Sequence, residues 1–167
     1  MDKAASVFLR RDIHTDDPHH IIKWLNNTNV TAFLSDSSVS ARELEIMTRQ
    51  LPDYLWAMQL NSQGIFYMID VEEAPAGFIK LVESGKDEYE IVVTIGEESA
   101  WGIGFGTDAV KKCLYSAFFD RRAKAIAATI HNKNERSIRL FEKLKFERSG
   151  IKNGYYKYLL TFDKYIA

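Results

Sequence analysis

The chain has 167 residues, 46% of them hydrophobic and 27% charged, a composition that excludes a mainly disordered polypeptide. A chain of this length buries about 70% of its unfolded surface, so it needs neither a disulfide nor a structural metal to fold. With 22 basic and 23 acidic residues the net charge is −1, which argues against a general nucleic-acid coat. Cys113 is the only cysteine, which rules out an intrachain disulfide and suits a reducing compartment. The opening stretch MDKAASVFLRR lacks the apolar centre of a secretory signal. No apolar run reaches the roughly 18 residues of a membrane helix. A cytoplasmic protein with no membrane or nucleic-acid partner is expected. No Pro/Ser/Gly-rich linker divides residues 1–167, which predicts a single domain.

In chain order, Ser6 to Arg11 reads as a strand. Asp17 is placed to cap a helix, with Pro18 at its first position. That helix carries Ile21, Ile22 and Leu25 on an inner face. Ser40-Ala-Arg-Glu43 is a capping box, followed by Leu44, Met47 and Leu51 at helical spacing. Residues 64–71, 76–83 and 88–95 are β-branched and aromatic and predict three strands, the first two a hairpin around 72–75. A loop with three glycines over 97–106 leads into a helix over 107–119, with Val110, Cys113, Leu114, Ala117 and Phe118 inward. Residues 123–130 are almost wholly apolar, as in a strand covered on both faces. A helix over 134–144 turns Ile138, Phe141 and Leu144 inward, and strands 146–151 and 155–162 flank the turn Lys152-Asn153-Gly154. The order β-α-α-β-β-β-α-β-α-β-β mixes hairpins with one β-α-β unit, so the class is mixed α/β (α+β), not a doubly wound sheet.

The densest chemistry lies in EYEIVVTIGEESAWGIGFGTDAV, residues 88–110. An apolar strand leads to Gly102-Ile103-Gly104-Phe105-Gly106 and then to a helix opened by Thr107. Glycines let backbone approach a ligand, and the first N–H groups of a helix have no internal partner and attract an anion. The pattern suits a pyrophosphate; the plainer reading is a glycine-rich strand end. A Rossmann site is disfavoured, because it needs the glycines directly after the first strand.

This segment, followed by AKAIAATIHNKNERSIRLFEKLKF, resembles the GNAT N-acetyltransferases, with the ribosomal-protein N-terminal and diamine N-acetyltransferase branch the most similar. WLNNTNVTAFL, residues 24–34, is similar to that branch's first helix and following loop. The resemblance implies a GNAT-like fold: a central, mostly antiparallel mixed sheet of about seven strands, flanked by about four helices. It also implies acetyl-CoA as the acyl donor and direct transfer to a primary amine, by a monomer or a homodimer. The family pattern Gln/Arg-x-x-Gly-x-Gly/Ala falls on Trp101 to Gly106, with Trp101 in the polar position. Ile103 to Thr107 would bind the coenzyme A pyrophosphate through backbone N–H groups. Val93, Thr94 and Ile95 would pair with the pantetheine arm as an added strand does. An N–H near Ile95 would polarise the thioester carbonyl.

In the second motif the family Asn and Ser, Asn134 and Ser137 here, would lie beside pantetheine. Phe141 stands where many members have a Tyr that protonates the leaving thiolate, and Lys145 stands where they have Gly. A thiol of pKa about 8.5 is already a fair leaving group. Lys145 is expected to strain the turn after the helix. Lys133, Arg139 and Lys143 would meet the adenosine 3′-phosphate, or form a solvated helix face. Phe141 suggests an alternative, a non-catalytic acyl-CoA-binding or regulatory module.

Direct attack needs a neutral amine, and bringing a lysine-like amine to pH 7 costs about 1.4 kcal/mol for each of roughly three pH units. Glu90 is the first candidate base, acting through water, or else a solvated carboxylate; Glu88 has the same side-chain parity. By resemblance Trp24, Asn26, Phe33, Tyr67 and Tyr155 border the acceptor, as do loops 26–40 and 150–156; the same aromatics also suit a core. His131 is a base candidate or a loop histidine. His19 and His20 point about 100° apart on a helix and do not share a metal. Cys113 reads as a small buried hydrophobe. No metal-ligand spacing stands out.

Overall fold

The structure, a computed structural model, describes residues 5–34 and 39–167. Seven strands run β1 (Val7–Arg10), β2 (Gly64–Val71), β3 (Ala74–Gly85), β4 (Glu88–Ile95), β5 (Ala125–His131), β6 (Glu147–Lys152) and β7 (Tyr155–Thr161). They form one sheet in the order β1-β2-β3-β4-β5-β7-β6. Every neighbouring pair is antiparallel except β4 and β5. The four helices expected are α1 (Asp17–Leu25), α3 (Ala41–Gln50), α5 (Phe105–Tyr115) and α6 (Glu135–Lys143). Three short ones were not legible: α2 (Thr28–Thr31), α4 (Trp56–Leu60) and α7 (Phe162–Ile166). Each has four or five residues, too few for an apolar period to emerge. The expected helix 107–119 starts two residues earlier, and a π-turn over Ser116–Asp120 replaces its last turn. No helix among the described residues is long and apolar enough to cross a membrane.

The sheet separates two cores. On one face Ile65, Tyr67, Ile69, Ile79, Leu81 and Ile91 pack against Val110, Cys113, Leu114 and Phe118 of the α5 region and Phe141 of α6. On the other, Phe66, Met68 and Phe78 meet Ile21 and Trp24 of α1 and Leu44 and Met47 of α3. Each large apolar side chain so buried contributes about 1.5–3 kcal/mol. Trp24, not Ile22 or Leu25, is the main anchor of α1, with Ile21; the other two are only partly buried.

Asp17 does not cap α1. It is the first helical residue, and its carboxylate binds the Arg10 guanidinium at 2.7 and 3.0 Å. Arg10 also donates to Asp70 at 2.7 and 3.2 Å, and all three side chains are buried. A buried guanidinium requires this pairing, and the pairing ties α1 to β1 and β2. The expected cap at Ser40 is present: its hydroxyl accepts the Glu43 N–H.

Candidate active site

Parallel pairing between β4 and β5 covers only Glu88–Glu90 against Ala125–Ala127. Beyond Glu90, β4 stays paired with β3 up to Ile95, while β5 stays with β7 up to His131. The two strands therefore part. A cleft of about 700 Å³ opens between them, lined by residues 90–95, by Ala128–Ile130, by the glycine loop and by the inner side of α6.

Register fixes which backbone groups face this gap. Gly96 N–H donates to the Ala76 carbonyl of the β3 side at 2.7 Å. Backbone direction alternates along a strand, so even-numbered residues of β4 face β3 and odd-numbered ones face the cleft. Val93 and Ile95 thus present backbone groups to the cleft. The Thr94 backbone does not; it is turned toward β3. The Ile95 carbonyl is already taken, since Trp101 Nε1–H donates to it at 2.7 Å. What remains is the Val93 N–H and C=O and the Ile95 N–H, enough to extend a sheet by one ligand edge.

The cleft ends at the start of α5. Gly104 is its N-cap, with φ 92°, and no side chain caps the helix. Phe105, Gly106 and Thr107 thus carry N–H groups without intrahelical partners. Gly102, at φ 74°, also adopts the left-handed conformation, and a Cβ added at either glycine would meet nothing within 4 Å. The loop is an open cradle. All of its expected residues line the cleft except Ile103, whose side chain is 62% exposed.

The second motif forms the opposite wall. Asn134 caps α6, its Oδ1 accepting the Ser137 N–H at 3.3 Å, and the residue lines the cleft. Ser137, Phe141 and Lys143 line it, as do Lys133 and Arg139. Phe141 is buried, edge-on to Phe146 with ring centroids 5.0 Å apart. Lys145 follows the helix at φ 71°, the left-handed position that the family Gly occupies without strain.

Side-chain parity puts Glu90, Val92 and Thr94 on the α1/α3 face of the sheet. Glu90 is half-buried and lines the cleft. Thr94 is 5% exposed, and its Oγ1 is the one fully buried side-chain polar atom without a hydrogen-bond partner among the described residues. It also lines the cleft, so a bound molecule with a polar group beside it would complete its hydrogen bonding. On the same face Phe33 lies over His131, and His131 lies edge-on to Tyr155, each pair with ring centroids 5.1 Å apart. His131 Nδ1 accepts the Lys133 N–H at 3.1 Å, so only Nε2 is open to a partner.

Three other expected acceptor residues, and the alternative base Glu88, lie elsewhere. Trp24 is a core residue whose Nε1–H donates to Glu97 at 2.8 Å, and its ring fills the space a Gly96 side chain would need. Tyr67 packs on the α5 face, its hydroxyl 3.3 Å from Ser116 Oγ. Asn26 is an exposed C-cap of α1, beside α3. Glu88 is exposed, before the strands part. Asn29, Val30 and Leu34 instead face the cleft from the α2 region. In the acceptor loop 26–40, residues 35–38 lie outside the described residues. The sequence reading also missed Arg136, Thr129 and Ala100. Arg136 lies two residues after Asn134 and could have been found from that spacing.

Burial lowers the Lys80 ammonium below the usual lysine range, against the opposing charge of Glu43. Burial raises the Cys113 thiol to about 12, so it is not a nucleophile at neutral pH. No group of three potential metal ligands occurs among the described residues.

A parted parallel strand pair, free strand-edge amides and an uncapped helix start define the class of protein: one whose cleft suits an extended ligand with an anionic end. Comparison with known proteins makes this specific. The family model of the acetyltransferase (GNAT) domain matches residues 7–147. The chain belongs to that family and is an acetyl-CoA-dependent acyltransferase. It is 23% identical over 153 residues to the uncharacterized N-acetyltransferase p20 of Bacillus licheniformis, covering 88% of this chain and 83% of that protein. The fold is similar to spermidine N-acetyltransferase from Vibrio cholerae, solved with CoA and spermine: TM-score 0.76, 18% identity, 96% and 98% of the two chains. It is also similar to an aminoglycoside acetyltransferase solved with coenzyme A and kanamycin: TM-score 0.74, 21% identity, 96% and 98% covered.

Proposed function

We propose that the protein acetylates a primary amine by direct attack on acetyl-CoA, within the gap between β4 and β5. The observation that carries this is the gap itself: β4 leaves β5 after Glu90, and the freed edge leads to the bare N–H groups at α5. The acyl donor supplies a thioester carbonyl and a thiol leaving group. Val93 and Ile95 hold its pantetheine arm by their cleft-facing backbone groups, and one of their N–H groups draws charge on the carbonyl oxygen. Phe105, Gly106 and Thr107 bind the pyrophosphate, and the Asn134 amide donates to the arm. Lys133, Arg139 and Lys143 face the 3′-phosphate.

Glu90 accepts the proton of the acceptor ammonium through water, on the face where Thr94 and the Phe33, His131 and Tyr155 rings stand. Phe141 has no proton to give, so the thiolate leaves unassisted, as its modest basicity allows. Aromatic rings beside a carboxylate suit a cationic amine. Two fold neighbours were solved with spermine and kanamycin, which supports a small polyamine or an amino sugar as the acceptor; a peptide N-terminus is the third class to compare. Thiol release from acetyl-CoA against a panel of these amines tests the reading. Turnover with at least one class is expected. Tight acetyl-CoA binding with no turnover on any amine would favour a non-catalytic module.

A further inference from the structure

Trp101 stands where the family pattern carries Gln or Arg, which removes a polar side chain from the pyrophosphate loop. The structure returns a cation from another element. The Arg136 guanidinium of α6 lies over the Trp101 ring, its Cζ 4.6 Å from the ring centroid. Both residues line the cleft together with Gly102, Gly104 and Thr107. The ring is itself fixed, because its Nε1–H is bound to the Ile95 carbonyl. Arg136 forms no ion pair among the described residues, whereas its neighbour Arg139 is 3.7 Å from Glu135.

This difference matters chemically. A carboxylate partner would neutralise a guanidinium and occupy its N–H groups. An aromatic face holds the same group in place through its π surface and leaves the in-plane N–H fork open for a phosphate. We propose that Arg136, held by the Trp101 ring, is a specificity residue that selects a phosphorylated coenzyme over its unphosphorylated arm. This rests on the reading that the 102–107 loop receives the coenzyme pyrophosphate. Trp101 is then a positioning residue, acting through Arg136.

The test is calorimetric and needs no turnover: the dissociation constants of coenzyme A and of pantetheine are measured for each variant, and their ratio is the readout. Arg136→Ala should lower the preference for coenzyme A by about tenfold, the usual worth of a charge-assisted hydrogen bond. Trp101→Leu, which removes the platform, should lower it similarly, and the double variant should be no worse than either single one. Trp101→Phe, which loses the Ile95 bond but keeps a ring, should retain most of the preference. Thermal melting confirms that each variant is folded. An unchanged ratio in Arg136→Ala, equal weakening of both ligands, or additive losses in the double variant would overturn the inference while leaving the acetyltransferase reading intact. A folded wild-type protein that binds no coenzyme A would overturn that reading itself, and the inference with it.

Discussion

Replacing Gly104 separates the cradle from the fold. Its φ of 92° costs any L-residue about 1–2 kcal/mol, but a Cβ there meets nothing within 4 Å. Gly104→Ala, Gly104→Gln and Gly104→Glu should therefore share one strain cost, lowering Tm by about 2–8 °C for a chain of this size. Only Gly104→Glu adds a charge at the proposed pyrophosphate site. Two unit charges about 5 Å apart repel by about 1 kcal/mol in water and about 3 kcal/mol at an effective dielectric near 20. Calorimetry should show coenzyme A binding to Gly104→Glu weaker than to Gly104→Gln by about 5- to 150-fold, the gap narrowing as salt rises. Equal binding by the folded Gln and Glu variants, at low salt, would refute the assignment of the pyrophosphate to this loop.

Arg10→Met should destabilise the protein by about 3–5 kcal/mol in urea titrations, because it leaves Asp17 and Asp70 buried without their cation. Lys145→Gly should raise Tm by about 1–4 °C: it relieves left-handed strain at φ 71° and loses only an exposed bond to the Ala167 carbonyl. Cys113 should resist thiol reagents until the chain unfolds. Its thiol is raised from 9.0 to about 12 in the fold, so its contribution to stability is complete below pH 9 and is lost as pH rises toward 12. Wild type should accordingly lose more stability than Cys113→Ala across that window in urea titrations. Glu90→Gln should lower kcat by about 100-fold near neutral pH, with the deficit shrinking toward the acceptor's own pKa; a pH–rate profile identical to wild type would remove Glu90 as the base.

Local chemistry was legible wherever period or turn chemistry was strong. The inward set Val110, Cys113, Leu114, Ala117 and Phe118 is buried as its helical spacing implied. Asn153 and Gly154 take φ of 53° and 80° at the expected hairpin turn. The parting of β4 and β5 was not legible, because EIVV and AIAATI are ordinary strand sequences whether or not they pair. Divergence comes instead from the outer partners: β3 holds β4 to Ile95 and β7 holds β5 to His131. The acceptor residues fared worst for the same reason. Trp24, Phe33, Tyr67 and Tyr155 are all aromatic, and residue type alone does not separate the two in the core, Trp24 against Gly96 and Tyr67 on the α5 face, from the two that flank His131. Tyr67 belongs to β2, where alternation turns it toward α5; Phe33 follows a four-residue helix that the sequence did not announce.

The near-zero net charge conceals the arrangement most relevant to the chemistry. Residues 83–98 hold six carboxylates against one lysine, and residues 133–145 hold five bases against two acids. In the fold the first segment runs through β4 and the second through α6, on opposite walls of one cleft. The acids are not equivalent. Glu97 is bound to Trp24 and Glu98 to Asn29, both holding the α1–α2 region onto the end of β4. Glu90 alone of the six lines the cleft. The bases divide likewise: Lys145 reaches the Ala167 carbonyl, while Lys133, Arg136, Arg139 and Lys143 face the cavity. One carboxylate on the β4 wall faces four cations on the α6 wall, where Glu135 also lines the cleft 3.7 Å from Arg139, a polarity that suits a cationic acceptor meeting a polyanionic donor end to end. Trp24 and Trp101 hold the end of β4 between these two charges, one ring against Gly96 and one indole N–H on the adjacent carbonyl. The strand that carries Glu90 and the cleft-facing amides is thus fixed at its Ile95–Gly96 end, between the proposed acceptor and coenzyme sides.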